Sequence, residues 1–389
     1  MNFNKGKEII NKDQNPKKNL TNDKKDMRKR LMRIILIFVG ILVVFLVVLL
    51  IISLINGKNM DYEEIEQEMK NAAMEYYDVQ KGLLPKEGET VTVRASTLAN
   101  SEYMEPLSEL RKNEECSGRV EIRKVGDKYI YTPYLDCGKN YVTKELYKAV
   151  LEQGIVTAGS GLYDMNGEKV YRGEEINNYV KLDNMMFRIV KVTSNNTILL
   201  IMSETDSNFS YNYDDRYNPE KKFNSGFNDY RVSRVYEFLQ DLYEGNTDTA
   251  ILSESDKEKL VDFDLCIGKR GPYDSDNRNV VECSDILEDQ MIGLLTASDY
   301  INASLDASCK MTTDRTCQNY NYLKLGGIDW WLVTGNSLNN SEVYSVRSGG
   351  YIDEYNASSS KKIRPTIMIN NNVMIKAGDG SSSNPFILK

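Results

Sequence analysis

The stretch Ile34 to Ile55, "IILIFVGILVVFLVVLLIISLI", constrains the fold more than any other feature of this 389-residue chain. It holds 22 residues with no charge and no proline. As a helix rising about 1.5 Å per residue it reaches roughly 33 Å, enough to cross a bilayer core. Arg28, Lys29, Arg30 and Arg33 crowd one end, so the positive-inside rule puts residues 1–33 in the cytosol and the bulk of the chain outside. A cleaved signal peptide fits less well, because its apolar core usually spans about 7–15 residues and ends in a small-residue site, whereas this run continues into "SLINGKNM". The sequence therefore predicts an uncleaved, single-pass transmembrane signal anchor at 34–55, with the cell membrane as the first partner. No cysteine near its end offers a lipid attachment point.

Charge divides the chain at the same place. Residues 1–33 carry 11 basic and 4 acidic groups, and the remaining 356 residues carry 38 and 53. The basic tail abuts the apolar run, so topology and anionic lipid explain it without nucleic acid, and the acidic remainder would repel nucleic acid. All six cysteines, Cys116, Cys137, Cys266, Cys283, Cys309 and Cys317, fall in the outer portion. An even number on the oxidising side predicts disulfides. Fifteen connectivities are open, and the sequential pairs 116–137, 266–283 and 309–317 are the simplest. The chain has no histidine, which removes Ser-His-Asp and Cys-His relays, His-ligated zinc and the histidine pH switch. No cysteine pair has C-x-x-C spacing, and no metal or cofactor is expected. Two carboxylates could still cleave a glycoside, but spacing nominates no pair among so many, and with no catalytic motif the expectation is a binding protein, not an enzyme.

Beyond the apolar run, Tyr62, Ile65, Met69, Ala72 or Ala73 and Tyr76 recur at three- and four-residue steps, the pattern of a helix with one apolar stripe, which either continues the membrane helix outward as a rod or packs on its own domain. "GRVEIRKVGDKYIYTPYLDCG" reads as a hairpin turning at Val125–Lys128, which a bond between Cys116 and Cys137 would clasp. A small α+β stalk domain over 56–140 follows. An anchored helix ending in "AAMEYYDVQKGLLP", then "STLANSEYMEPL" and the Cys-bounded hairpin, resembles type IV pilins and pseudopilins. That resemblance implies surface assembly, with copies of the chain packing through the 60–79 helix. The chain departs from the pilin processing pattern: Ile41 follows Gly40, and Phe45 stands at the fifth place where a Glu is expected.

Residues 141–389 read as a larger mixed α+β head. Strand-like runs flank the turn Ser194-Asn195-Asn196, and "YRVSRVYEFLQDLYEG" is a helix ending at Gly245. Strands alternate with Asn/Ser/Tyr/Gly-rich loops rather than regular crossover helices, which argues against a doubly wound sheet. "YDSDNRN" and "YNYDDRYNPEKKF" gather oxygen ligands without calcium-loop spacing, and "GDGSSSN" is a turn rather than a phosphate loop. The set "LLTASDY", "GGIDWWLVTG", a V-x-S-x-GG strand and "IRPTIMI" resembles an uncharacterised extracellular domain of membrane-anchored proteins of low-GC Gram-positive bacteria. Its Trp-Trp-Leu, Gly-Gly and Arg-Pro elements are similar to the fold of formylglycine-generating enzymes and C-type-lectin-like domains. The resemblance implies that Trp330, Trp331, Gly349, Gly350, Arg364 and Pro365 mark the core and that nearby loops carry a ligand. Adjacent strand residues point to opposite faces, so one indole of the only two tryptophans faces the core, and the other either is covered on the far side of the sheet, the more frequent arrangement for such a pair, or meets a ligand. Residues 331–361 combine aromatics with Ser, Asn and Gly, the composition of binding surfaces. Trp331, Asn336, Tyr344, Arg347, Tyr351 and Tyr355 are the candidate contacts for an extracellular glycan or protein ligand of a surface binding or adhesion protein.

Overall fold

The computed structural model describes residues 27, 29–33, 35–46, 59–205, 209–247, 251–275 and 279–389. The transmembrane helix expected at 34–55 needs correction. Residues 35–46 are helical and exposed, and residues 34 and 47–55 lie outside the described residues, as does the basic tail apart from 27 and 29–33. Among the described residues no helix is long and apolar enough to cross a membrane. The fold class is mixed α+β, with several sheets and three disulfides. The chain divides into two compact units, Met1–Val142 and Thr143–Lys389.

In the first unit the helix Tyr62–Val79 packs on a three-stranded antiparallel sheet of order β1-β2-β3, with β1 at Thr90–Arg94, β2 at Ser117–Val125 and β3 at Lys128–Asp136. The Glu64 carboxylate accepts from the Asp61 backbone N–H at 3.2 Å, meeting one of the donors that a helix start leaves open. The apolar stripe Ile65, Met69, Ala72, Ala73 and Tyr77 is buried against the sheet residues Val93, Val120, Ile122 and Leu135. The final aromatic of the stripe is thus Tyr77, while Tyr76 lies at the edge of the core. Gly126, at φ 59°, makes the two-residue turn between β2 and β3, a conformation that costs glycine nothing. Cys116 and Cys137 bond immediately beyond the last pair, Ser117–Asp136.

The second unit holds an eight-stranded and a five-stranded sheet. The larger runs β16-β8-β7-β6-β18-β17, with the hairpin β4 (Gly161–Met165) and β5 (Glu168–Arg172) joined to β7 through β5. Here β6 is Tyr179–Leu182, β7 Met185–Val192, β8 Ile198–Met202, β16 Thr366–Ile369, β17 Ile375–Ala377 and β18 Phe386–Leu388. β8, "ILLIM", is buried at every position because it runs between β7 and β16, covered on both faces. The five-stranded sheet runs β14-β13-β12-β15-β9, with β9 at Ser210–Asn212, β12 at Trp330–Gly335, β13 at Glu342–Val346, β14 at Ile352–Asn356 and β15 at Ser360–Lys362. A short ribbon pairs β10 (Phe263–Cys266) with β11 (Ile286–Gln290). The helix Arg234–Glu244 is capped by Ser233, whose hydroxyl accepts from the Tyr236 amide at 3.0 Å, and stops at Gly245 with φ 84°.

β7 places two cations inside this unit, and each is accommodated differently. Arg188 stacks over the Tyr179 and Tyr322 rings at 4.2 and 4.7 Å and donates to Asn178 Oδ1 at 2.8 Å. Further along, Ile189 and Lys191 pair with the successive residues Leu200 and Leu199 of β8, so Val190 is a β-bulge. The bulge resets the in-out alternation just before Lys191, which lines a cleft.

Candidate functional site

The six residues expected to contact a ligand do not share one surface. Trp330 and Trp331 both lie fully buried in β12. Trp330 meets the Tyr300 ring edge at 5.8 Å and the Arg364 guanidinium at 4.6 Å. On its own side Trp331 meets Tyr213 at 5.6 Å and donates its indole N–H to the Tyr211 carbonyl at 3.0 Å. The second tryptophan is thus covered as completely as the first, and with no exposed surface it touches no ligand in this conformation. Tyr344, taken from its sequence context to be exposed, is buried too, and its hydroxyl donates to the Arg270 carbonyl at 3.2 Å. Asn336 is spent on its own turn, donating to Glu342 Oε2 at 3.1 Å and accepting from the Leu338 amide.

Arg347, Tyr355 and Trp331 do converge, around Lys361 and Asp329. The Lys361 ammonium stands 3.3 Å from the Tyr355 ring centre, 5.5 Å from that of Trp331 and 3.1 Å from Asp329 Oδ2. Arg347 reaches the same carboxylate at 3.5 Å and lies over Tyr355 at 4.5 Å. Burial lowers the Lys361 proton affinity. For Asp329, burial opposes ionisation, but the Ser348 amide, Lys361 and Arg347 outweigh it and hold the carboxyl below the usual aspartate range. Tyr351 stacks elsewhere, under Arg315 at 4.2 Å. The charges here are paired and the aromatic faces occupied, so the cluster closes the sheet.

An open, polar, concave site lies beside the larger sheet. A cleft of about 690 Å³ is bounded by β5, β7 and β8, by β10, and by the start of the helix Ala297–Ala303. At its floor Lys191 Nζ lies 3.0 Å from Glu168 Oε2 and 3.8 Å from Asp299 Oδ1. Asp299 Oδ2 accepts from the Thr296 hydroxyl at 2.8 Å and the Thr296 amide at 3.2 Å, and Oδ1 accepts from Asn279 Nδ2 at 3.1 Å. Burial alone would push the Lys191 ammonium down, yet Asp299 and Glu168 outweigh it and raise its pKa. Nearer the mouth are the half-buried ring of Phe263 and the exposed Asp262 and Asp264. Thr366 also lines the cleft, and its buried hydroxyl has no hydrogen-bond partner among the described residues.

Two devices fix the wall. Cys266 and Cys283 line it and are bonded to each other. Between them in sequence lies Arg270, fully buried, whose guanidinium reaches Glu282 Oε1 at 3.2 Å and donates to Ser298 Oγ at 2.7 Å. Ser298 belongs to the Ala297–Ala303 helix, so the clasped loop is tied to the element that carries Asp299. The third disulfide joins Cys309 and Cys317. Among the described residues, the one group with metal-like clustering is Glu114, Cys116 and Cys137, and its two sulfurs are bonded to each other.

Sequence reasoning missed these cleft residues, although two signals pointed to them. Lys191 interrupts the otherwise apolar end of "FRIVKV", where an unpaired charge would be costly. Thr296 and Asp299 in "LLTASDY" have capping-box spacing, and the structure makes both reciprocal bonds. Comparisons with protein-family models, with curated proteins and with solved structures found no match for this chain.

Proposed function

We propose that the Thr143–Lys389 unit is a glycan-binding module that works in an oxidising compartment outside the cytosol, and that the cleft beside β7 is its ligand site. The observation that carries this reading is the cleft's combination of a half-buried aromatic ring, Phe263, with the exposed carboxylates of its neighbours Asp262 and Asp264 in one concavity. Small-ligand sites commonly pair apolar surface with a few placed polar groups, and a sugar offers both an apolar ring face and hydroxyls. Four carboxylates, Glu168, Asp262, Asp264 and Asp299, face one lysine in the lining. That balance favours a neutral or amine-bearing saccharide and opposes polyanions. The three disulfides, with no free cysteine, fit an oxidising compartment.

The test is a binding screen of the full chain against neutral, amine-bearing and acidic oligosaccharides, followed by titration of the hits. Phe263→Ala and Asp264→Asn should each weaken an amine-bearing hit, and Phe263→Ala a neutral one, by about tenfold or more, which corresponds to roughly 1.4 kcal/mol. No bound glycan, or a hit whose affinity both variants preserve, would overturn the reading.

A further inference from the structure

We propose that the cleft floor carries a covalent crosslink, an isopeptide bond between Lys191 Nζ and Asp299 Cγ formed with Glu168 as proton carrier. Three separate elements bring the groups together. Glu168 opens β5, Lys191 follows the bulge of β7, and Asp299 sits in the first turn of the Ala297–Ala303 helix. All three side chains are largely shielded, at 33%, 13% and 9% exposed. Lys191 donates to Glu168 at 3.0 Å, whereas its 3.8 Å separation from Asp299 Oδ1 lies beyond hydrogen-bonding reach. The amine is thus bound to the group that can take its proton and stands beside the carboxyl it would attack. Both oxygens of that carboxyl are already held by donors, Oδ1 by Asn279 and Oδ2 by the Thr296 hydroxyl and amide. Donors so placed stabilise the negative charge that develops on oxygen when nitrogen adds to the carbon.

The step balances without any co-reactant. The ammonium and the carboxylate together hold three protons on nitrogen and none on oxygen. Glu168 takes a proton from Nζ, the freed amine lone pair adds to Cγ, and the Cγ–O bond to one carboxyl oxygen breaks. The departing oxygen leaves as water with two protons that Glu168 carries across in turn. The amide nitrogen keeps the third proton, and Glu168 ends as it began. Condensation is unfavourable for separate molecules in water, but groups fixed on rigid elements reach effective molarities of roughly 10⁵–10⁸ M, and the amide removes a shielded ion pair that is costly to keep desolvated. The surrounding carboxylates raise the Lys191 pKa and so oppose loss of its proton, and the step needs a base in direct contact, the position that Glu168 holds. The bond would clamp β7 to the helix below the cleft mouth. The inference does not rest on the glycan reading, and each fails by its own measurement.

Intact mass spectrometry of the folded, then fully reduced, full chain tests it. The wild type should be lighter than its sequence mass by one water, with a branched tryptic peptide joining the segments that contain Lys191 and Asp299. Lys191→Arg, which keeps the charge but not the nucleophile, and Glu168→Gln should both show full sequence mass. Asp299→Asn provides a chemical check, since its crosslink would release ammonia in place of water. A folded wild type at full sequence mass overturns the proposal, as does a water loss that persists in Lys191→Arg.

Discussion

The Trp-bearing five-stranded sheet and the cleft beside the eight-stranded sheet solve opposite problems with similar residues. Each brings a lysine to carboxylates next to aromatic groups. Around Asp329 the faces of Trp331 and Tyr355 are consumed by Lys361 and Arg347. Around Lys191 the ring of Phe263 stays partly exposed and lines an open cleft. Aromatic composition therefore marked the packed region and not the open one. Large aromatics are strong candidates for function only where something leaves their surface uncovered.

The largest effect expected from breaking this contrast is on the packed side. Trp331→Ala empties a fully buried position and orphans the Tyr211 carbonyl, so it should cost about 4 kcal/mol. Both tryptophans lie in the Thr143–Lys389 unit, so urea unfolding followed by indole emission reports this unit, with Trp330 as the remaining probe in the variant. A wild-type midpoint in Trp331→Ala would mean that the indole is a surface platform after all.

The second effect is on the cleft wall. The Cys266–Cys283 bond closes a loop of sequence separation 17, and replacing both residues by serine should cost about 3 kcal/mol through the freedom returned to the unfolded chain. Because the loop also reaches the Ala297–Ala303 helix through Arg270, Glu282 and Ser298, hydrogen exchange in that helix should quicken in the double variant. Unchanged exchange there would separate the wall from the floor.

A third, smaller effect separates the two charge clusters by pH. The Asp329 carboxyl has a lowered folded-state pKa, so its contribution is fully present above the ordinary aspartate value and is lost as pH falls through the folded value. Asp329→Asn should cost about 2 kcal/mol near neutral pH and flatten the acid limb of a plot of melting temperature against pH. An acid limb identical to that of the wild type would show that Lys361 and Arg347 find other partners.

Much of the local architecture was legible. The turn at Ser194–Asn196 shows Asn196 at φ 63°, the helix ending at Gly245 follows its apolar period, and the clasped hairpin of the first unit follows from alternation and a Val-Gly-Asp-Lys turn. These signals sit within a few residues of what they specify. The cleft was not legible, because Glu168, Lys191, Phe263, Asn279 and Asp299 meet only through strand order, one bulge and one disulfide-clasped loop. Apolarity misled at the N-terminal run. The run at 34–55 promised a membrane span, yet among the described residues no helix is long and apolar enough for one. The stripe on the Tyr62–Val79 helix packs on its own domain, with Ile65 and Met69 fully buried within their unit.

The smallest stability effect belongs to the residue with the largest expected binding effect. Phe263 begins β10 at the cleft mouth and is only half buried, so Phe263→Ala removes a ring already partly in water and leaves no sealed cavity. Its stability cost should stay near 1 kcal/mol, well under the 3–5 kcal/mol of a fully buried aromatic. Glycan affinity should nevertheless fall by about tenfold or more, whereas the far more disruptive Trp331→Ala, studied at temperatures where it remains folded, should bind as the wild type does. This pairing makes stability and binding run in opposite orders across two aromatic positions. If Trp331→Ala loses affinity while folded and Phe263→Ala keeps it, the ligand sits at the tryptophan sheet and the cleft is only a fold in the surface.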